Sequence, residues 1–376
     1  MIQTPALPQA RLEAIRTPFR ETGADWVQPP VLQPLSLILD LAGEALRSQL
    51  FVLQAAGGEE LCLRPDLTTP VARLHLASGA ATRDYAYEGL VFRASAHEPQ
   101  EVLQIGIERF APEADRVSAD ADLVDLIWRA AMGGGRRDLS LRLGDAGLFR
   151  AFVESLALSP VQTSRLVRMA ARPSQMAAEL AGAGESALPR EEEAVIARRL
   201  GALPPEEAAA LLEEIWSLSG ITPVGGRGAM EIAARLIRRS ESARAPALSQ
   251  AEADAVRAFL AVRDTPREAL KQIARLAPGA GTLQARLTDW ARRLDRIEAA
   301  SAGLASTIFE AAPRGDFAYY DGLIVEVLSD ALGPDRPLAA GGRYDGLPAR
   351  LSGAPWTGSA LGGMVLPGRA ILEAGQ

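Results

Sequence analysis

The stretch Ala340-Gly341-Gly342-Arg343-Tyr344-Asp345-Gly346-Leu347 concentrates glycines, an arginine, a tyrosine and an acid near the end of the chain. Glycines let a chain turn tightly or let backbone amides approach an anion, so Gly341, Gly342 and Gly346 predict either a plain turn or a phosphate cradle. The tyrosine adds a flat ring with a hydroxyl group. This mixture suits a site for a small zwitterionic ligand, which needs groups of both charges close together.

A second stretch carries acids and amides far from the first one along the chain. It contains Leu63-Arg64-Pro65-Asp66-Leu67-Thr68-Thr69-Pro70 and, further on, Gln104-Ile105-Gly106-Ile107-Glu108. Thr69 as a cap and Pro70 at the first helical position predict a helix start, which places Asp66 in a turn between a strand and a helix. In strand alternation Gln104 and Glu108 lie on the same face.

The segments around these stretches predict an α+β fold. Strand patterns at 50–53, 60–63, 85–94, 102–110 and 139–143 precede a long helical middle, and strand patterns return at 308–310 and 317–327. Helices are predicted at 9–22, 120–132 and 369–374. We therefore expect an antiparallel sheet flanked by helices, with a helical insertion. The predicted segments are 1–145 and 305–376 for the sheet domain and 146–304 for the insertion and connecting helices.

Composition restricts the classes of function. The chain has 376 residues and a net charge of −7, so it lacks the basic character typical of nucleic-acid binders. One cysteine and two histidines exclude an internal disulfide and make a metal site unexpected. We predict no metal, no cofactor, no nucleic-acid partner and no membrane partner. The N-terminus has no signal-peptide pattern, and no apolar run reaches the roughly 18 residues of a membrane span, so we expect a cytoplasmic protein.

The polar residues of the two stretches can hold a ligand with two basic groups and a carboxylate. Acids with neighbouring amide and hydroxyl groups match the donors of an ammonium group, tyrosines suit a small ring, and an arginine suits a carboxylate. The candidates are Asp66, Thr68, Gln104, Glu108, Arg314, Tyr319, Tyr320 and Tyr344. Purely structural roles remain an alternative. In that interpretation Asp66 caps the following helix, Glu108 pairs with an arginine and the tyrosines belong to the core.

Together with Tyr319-Tyr320, the two motif stretches resemble the histidine-specific signatures of the histidyl-tRNA synthetase catalytic domain. That domain has the class II aminoacyl-tRNA synthetase fold. More specifically, the chain resembles the synthetase paralogues that serve as regulatory subunits of ATP phosphoribosyltransferase. The resemblance covers both strand-rich parts, whereas the helical middle is only loosely similar. It implies the same fold for this chain, with histidine as the ligand.

The resemblance also implies a role for each matching residue. Asp66, Thr68 and Gln104 would hold the α-amine of histidine, with Asp66 standing where the synthetase has a longer glutamate. Glu108 and Tyr320 would bind the imidazole, and Tyr344 would line the pocket. Arg314 resembles the arginine that meets the ligand carboxylate, although it lies one residue farther from Tyr319-Tyr320 than in the synthetase.

Several departures from the synthetase pattern fall on residues that handle ATP and tRNA. The second class II motif has lost its acid, because Phe92-Arg93 is followed by Ala94-Ser95. The next loop, 96–103, contains no arginine. Arg369 can stand for the arginine of the third motif, but Gly368 replaces the acid before it. No anticodon-binding domain is expected after Gln376. A polyphosphate would be poorly neutralised here, so we predict impaired adenylation.

The resulting hypothesis is a non-catalytic subunit that senses histidine. It would activate a short-form catalytic ATP phosphoribosyltransferase and transmit feedback inhibition by histidine. By family likeness it would form a dimer through the Gly23 to Pro34 region. Two alternatives remain: a ligase that forms histidyl adenylate without binding tRNA, and a structural subunit with a relic pocket.

Overall fold

The computed structural model of the protein describes residues 7–96, 98–112, 115–170, 172–184, 203–219, 229–230, 233, 247–277, 279, 281–300, 306–312 and 319–372. Contacts between residues divide the chain into two compact units. The first comprises Met1–Ala151 and Phe259–Gln376, and the second comprises Phe152–Ala258. The segment boundaries 1–145, 146–304 and 305–376 stay a prediction. Among the described residues, no helix is both long enough and apolar enough to cross a membrane.

The first unit begins with a helix and a small sheet. Helix α1 spans Gln9–Glu21 and contains Pro18, which does not end it. Three short strands form an antiparallel sheet in the order β2-β4-β3, and a separate strand, β1, precedes them. The bounds are β1 Asp25–Val27, β2 Leu32–Pro34, α2 Leu35–Ala42, β3 Val52–Gln54 and β4 Glu60–Leu63. The predicted hairpin at 50–63 is confirmed.

A nine-stranded sheet forms the body of the first unit, in the order β1-β5-β6-β12-β11-β10-β7-β9-β8. Its other strands are β5 Arg83–Phe92, β6 Glu101–Ala111, β7 Leu139–Asp145, β8 Arg263–Asp264, β9 Thr307–Glu310, β10 Leu323–Ser329, β11 Ala339–Arg343 and β12 Ser359–Val365. The two sequence stretches become neighbours here, because β12 pairs with β6 on one side and with β11 on the other.

The sheet is antiparallel from β5 to β7 but contains two parallel pairs, β1 with β5 and β7 with β9. Parallel neighbours need a long crossover connection, and both pairs have one. The small sheet and helix α3, Thr68–Ser78, connect β1 to β5. The long helical part of the chain connects β7 to β9. The α+β prediction holds, with a mixed sheet in place of a wholly antiparallel one.

The remaining helices complete the two units. In chain order they are α4 Arg116–Met132, α5 Ala146–Ser155, α6 Pro160–Met169, α7 Pro173–Ala181, α8 Pro205–Ser219, α9 Gln250–Leu260, α10 Pro266–Leu276, α11 Gly281–Ala300, α12 Leu347–Ser352 and α13 Pro367–Ala370. In the second unit, Ser159 and Gln162 form a capping box at the start of α6. That reciprocal pair satisfies backbone groups that a helix start leaves open.

Two sequence expectations near the C-terminus were wrong. Gly341 and Gly342 lie within β11, neither in a turn nor in a phosphate-binding loop, whereas Gly346 lies in a turn and its backbone N–H donates to Asp321 Oδ2 at 2.7 Å. Gly341 and Gly342 are glycines because of close neighbours: a Cβ on Gly341 would lie 2.6 Å from the carbonyl oxygen of Gly362, and one on Gly342 would lie 2.3 Å from that of Leu323. The helix predicted at 369–374 is observed as the single turn Pro367–Ala370, and residues 371 and 372 are not helical; residues 373 and 374 lie outside the described part of the chain.

Candidate ligand-binding site

Glu108 on β6 is the centre of a polar cluster on one face of the large sheet. Its side chain is fully buried and accepts hydrogen bonds from three hydroxyl groups. Thr68 Oγ1 donates to Oε1 at 2.6 Å, Tyr87 Oη donates to Oε1 at 3.1 Å, and Tyr344 Oη donates to Oε2. Among the described residues no arginine or lysine forms an ion pair with Glu108. Arg314 lies outside the described residues, so the predicted alternative, a Glu108–arginine pair, stays a prediction.

Burial dominates the electrostatics of this acid. It raises the pKa of Glu108 to about 7, and the three hydroxyl donors oppose that rise only in part. Burial also raises the pKa values of Tyr87 and Tyr344, so both tyrosines stay neutral hydrogen-bond donors at physiological pH. A buried acid surrounded by neutral donors is poised for a cationic or proton-sharing ligand.

Asp66 is a second buried acid beside Glu108 and lies just before α3. Its Oδ1 accepts a hydrogen bond from the Thr69 backbone N–H at 2.7 Å, and its Oδ2 accepts one from Thr69 Oγ1 at 3.3 Å. Asp66, not Thr69, is thus the residue whose side chain caps α3, and the helix begins at Thr68. Burial raises the pKa of Asp66, and the bonds to Thr69 and the charge of Arg93 oppose this.

Three tyrosines surround the acids. Tyr319 and Tyr320 have ring centroids 4.9 Å apart, and Tyr344 lies 5.7 Å from Tyr319 and 6.3 Å from Tyr320. Tyr319 and Tyr344 also belong to a hydrophobic core cluster, as the structural alternative expected. Packing and polar contact coexist in these side chains, because their rings are buried while the hydroxyl of Tyr344 reaches Glu108.

Glycines on the neighbouring strands leave room for these side chains. Gly362 on β12 is the register partner of both Glu108 and Gly342. A Cβ on Gly362 would lie 1.8 Å from Oε2 of Glu108, and a Cβ on Gly342 would lie 2.8 Å from Cδ1 of Tyr320. The positions next to them face the other side of the sheet, where a Cβ on Gly363 would lie 2.2 Å from Ile127 Cδ1. The glycine pairs thus serve the site on one face and helix packing on the other.

The structure brings most of the predicted site residues together. Thr68 and Tyr344 are hydrogen-bonded to Glu108, the ring of Tyr320 contacts that of Tyr344, and the charge of Asp66 contributes to the raised pKa of Glu108. Gln104 is buried on β6, four residues before Glu108 and on the same face of the sheet. Arg314 lies outside the described residues.

Sequence reasoning missed Tyr87, the third hydroxyl donor to Glu108. A signal was present, because Tyr87 pairs with Gly106 across β5 and β6 and so shares the face of Glu108. A Cβ on Gly106 would lie 2.6 Å from the Tyr87 hydroxyl oxygen, so the glycine makes space for the ring's polar end. Recognising it required the register of the two strands, which the sequence does not give.

The opposite face of β11 carries a different buried cluster. Arg343 donates from Nε to Asp120 Oδ1 at 2.9 Å and from Nη1 to Ser359 Oγ at 2.6 Å. Arg293 of α11 lies 2.7 Å from Asp120 Oδ2, measured from its Nη2. Asp120 is fully buried, and both arginines are nearly so. This cluster joins the sheet to α4 and α11 by charge neutralisation.

Two arginines that could meet a nucleotide phosphate instead contact their own chain. Arg369 donates from Nη1 to the Pro337 carbonyl at 2.9 Å and from Nη2 to Glu98 Oε2 at 3.1 Å. Arg93 donates from Nε to the Pro65 carbonyl at 3.1 Å. Glu98 comes from the segment at 96–103, so an acid of that segment is hydrogen-bonded to the Arg369 guanidinium.

Comparison with known proteins gives the family. The sequence model of histidyl-tRNA synthetase matches residues 9–223 and 228–363. Proteins of Brucella canis and Brucella suis named ATP phosphoribosyltransferase regulatory subunit are 34% identical over 345 residues, which is 89% of this chain and 89% of each relative. The chain belongs to the histidyl-tRNA synthetase family, in its group of ATP phosphoribosyltransferase regulatory subunits.

Solved structures of this family share the fold. A Bacillus halodurans protein titled ATP phosphoribosyltransferase regulatory subunit/histidyl-tRNA synthetase has a TM-score of 0.66 at 21% identity, covering 98% of this chain and 82% of its own. Histidyl-tRNA synthetase from a Nostoc species has a TM-score of 0.61 at 16% identity, covering 98% and 74%. The predicted class II synthetase-like fold is confirmed.

Proposed function

We propose that this family member is a non-catalytic regulatory subunit of ATP phosphoribosyltransferase. It activates a short-form catalytic subunit, which joins ATP to phosphoribosyl pyrophosphate at the start of histidine biosynthesis. It also transmits feedback inhibition by histidine. The proposal places both subunits in the cytoplasm, as expected from the sequence.

The observation that carries the proposal is the state of Glu108. This acid is buried, and the donors that reach it from the described part of the chain are three neutral hydroxyl groups. Desolvating a carboxylate is costly unless it is paired, so the site gains free energy when a ligand supplies a positive charge or a strong donor. An imidazole, which titrates near the pKa of about 7 of Glu108, meets that need.

The other candidate residues receive the roles that the family resemblance implies. In the proposed complex Asp66, Thr68 and Gln104 hold the α-amine of histidine. Glu108 and Tyr320 bind its imidazole, with Tyr344 lining the pocket. Arg314 remains the candidate for the ligand carboxylate. Histidine then regulates the partner only through a difference in affinity between two states of the assembly, and a coupling of about 1 to 3 kcal/mol is ordinary for such a linkage.

The histidyl-adenylate-forming ligase is the less supported alternative. Its chemistry requires cations that neutralise the phosphates of ATP. Arg369 is engaged with Glu98 and Pro337, and Arg93 donates to Pro65. We expect no histidine-dependent exchange of pyrophosphate into ATP. The structural-subunit alternative predicts instead that histidine binds neither the isolated protein nor the complex.

The proposal includes self-association through the Gly23 to Pro34 region. In that region Trp26, Val31 and Leu32 are 42%, 41% and 49% exposed. Leu53 lies nearby on the small sheet and is 43% exposed. Exposed apolar side chains grouped in this way are typical of an interface, and a two-fold dimer would cover the same surface on both copies.

Co-expression with a short-form catalytic subunit tests the proposed role. Formation of phosphoribosyl-ATP should require this chain, and histidine should inhibit the assembled complex. Glu108→Ala should remove most of that inhibition, while Glu101→Ala, an exposed acid on the same strand, should leave it intact. A catalytic subunit that is equally active alone, or a Glu108→Ala complex that histidine inhibits as strongly as wild type, would contradict the proposal.

A further inference from the structure

Arg64, the residue after β4, links three segments of the first unit by hydrogen bonds to their backbone carbonyl and N–H groups. Its guanidinium donates from Nε to the Leu90 carbonyl at 2.8 Å and from Nη1 to the Pro29 carbonyl. Its own backbone N–H donates to the Val31 carbonyl at 2.8 Å, and its carbonyl accepts from the Phe92 N–H at 3.0 Å. One residue thereby fixes the 29–31 segment against the end of β4 and against β5.

The guanidinium is buried in an unusual setting. Arg64 is 7% exposed, and among the described residues no carboxylate forms an ion pair with it. Burying an arginine without an acid is costly, and burial lowers the pKa of Arg64. The planar fork can satisfy two separate carbonyls at once, which a lysine ammonium on a flexible stem does poorly. The side chain is therefore suited to holding backbone segments in place.

On one side, Arg64 adjoins the candidate histidine site. It lies two residues before Asp66 and four before Thr68. A Cβ on Gly89 would lie 2.5 Å from its Nη2, and Gly89 is the register partner of Gln104. The guanidinium thus packs against Gly89, directly opposite Gln104, which is the third residue proposed to hold the α-amine.

On the other side, Arg64 holds the segment proposed for self-association. Pro29 and Val31, whose carbonyls it contacts, lie between the exposed Trp26 and Leu32. The adjacent residue Leu63 pairs with Leu32 across the small sheet. We define Trp26, Val31, Leu32 and Leu53 as the apolar surface.

We propose that Arg64 is a positioning residue that couples histidine binding to self-association through the apolar surface. The inference rests on the proposed function and adds a regulatory linkage to it. A second copy that covers the apolar surface favours the ordered 29–34 segment, and this segment holds Arg64 and the Asp66 turn in place. Histidine favours the same ordered turn. Two ligands that stabilise one state must strengthen each other, so the linkage is positive and reciprocal.

The first measurement is sedimentation velocity on dilution series of the full chain, without histidine and with saturating histidine. We expect histidine to tighten the dimer by at least about fivefold, the lower end of ordinary allosteric couplings. Calorimetry on the same samples reports whether histidine binds.

Two variants displace the guanidinium by independent means. Arg64→Lys keeps the charge but cannot bridge both carbonyls. Gly89→Ala leaves Arg64 in the sequence and places a methyl group where its Nη2 lies, which a flexible side-chain end can accommodate. The matched control is Arg275→Lys, an exposed arginine on α10. In both test variants the histidine-induced tightening of the dimer should disappear, whereas the control should keep the full effect. The thermal midpoint of the test variants should fall, because buried carbonyls lose their donor, but circular dichroism at the assay temperature should show a folded protein.

The outcomes separate this inference from the proposed function. Absence of histidine heat in the wild-type protein would reject the proposed site itself. Histidine heat with an unchanged dimer constant would reject the linkage alone. Linkage retained at wild-type strength in a folded Arg64→Lys or Gly89→Ala protein would reject the role of Arg64. If one of these two variants does not fold, the other still tests the role of Arg64, because it perturbs the same contact.

Discussion

Glu108 on β6 and Asp120 on α4 are both completely buried acids, one against each face of the large sheet, yet their surroundings differ in kind. Asp120 lies against the guanidiniums of Arg343 and Arg293, whereas Glu108 accepts hydrogen bonds from three hydroxyl groups of the described residues. Burial raises the pKa of each acid. For Asp120 two cations oppose that rise, and for Glu108 three neutral hydroxyl donors of the described residues oppose it. The fold thus neutralises Asp120 internally, and we propose that a ligand completes the surroundings of Glu108.

Alternating residues of one strand serve the two sites. Gly342 and Tyr344 lie on the same face of the sheet as Glu108. Gly341 and Arg343 lie on the opposite face, against which Asp120 of α4 packs. Successive residues of a strand point to opposite sides, so the short motif at 340–347 contributes to both clusters. The comparison shows that two equally buried acids can differ in the charge of their partners, and we propose this difference as the mark of the ligand-binding acid.

Breaking the Asp120 cluster should have the largest effect. Asp120→Asn leaves two nearly buried guanidiniums without their shared carboxylate, a loss that costs about 3 to 5 kcal/mol of unfolding free energy. Urea unfolding followed by circular dichroism measures it. Asp289→Asn, an exposed acid on α11, is the control and should change stability by less than about 0.5 kcal/mol. A loss of that small size for Asp120→Asn would show that the cluster is not structural.

Glu108→Gln should not destabilise the protein at neutral pH as Asp120→Asn does, because it removes an acid that is costly to bury. The difference in unfolding free energy between wild type and this variant should depend on pH. The folded pKa of about 7 exceeds the unfolded value of 4.5, so the stability that Glu108 contributes is complete below pH 4.5 and is lost as the pH rises through 7. The unfolding free energy of wild type relative to Glu108→Gln should fall on the order of 3 kcal/mol across that window. Urea unfolding at several pH values measures the difference, and a flat difference would mean that Glu108 does not titrate as proposed.

Removing one of the hydroxyl groups that donate to Glu108 should change the affinity for histidine. Tyr344→Phe deletes a hydrogen bond to the Glu108 carboxylate, and bonds to charged groups contribute about 1.5 to 3 kcal/mol. Histidine affinity in calorimetry should fall by about tenfold or more. Tyr85→Phe is a suitable control, because the Tyr85 hydroxyl oxygen lies near His75 and Ser78 at 3.4 Å rather than near Glu108. Equal losses in the two variants would argue against a specific role of Tyr344.

The change of histidine affinity per pH unit is expected to be the smallest of these effects. The complex holds one proton between Glu108, with a pKa of about 7, and an imidazole with a pKa near 6.5. Below both values a proton must leave, and above both one must be taken up. Affinity should peak between them and fall by up to about tenfold per pH unit on either side. Calorimetry across pH checks this, and an affinity that keeps rising above pH 8 would exclude the shared proton.

The sequence predicted the main elements of the fold and most of the candidate site, because its motifs are local. The hairpin at 50–63, strands β5 and β6 and the shared face of Gln104 and Glu108 follow from alternation and turn residues. Strand β12 was missed, because Gly362 and Gly363 lack the β-branched side chains that mark a strand. Tyr87 and the Arg343–Asp120 pair were missed because they depend on register and on contacts between distant segments.

Titration of the isolated protein with histidine at pH 7, for wild type and Glu108→Gln, tests the central claim most directly. The account predicts a saturable heat of binding for wild type and its loss in Glu108→Gln, although the variant stays folded. Equal binding by both proteins, or no binding by folded wild type, would contradict it.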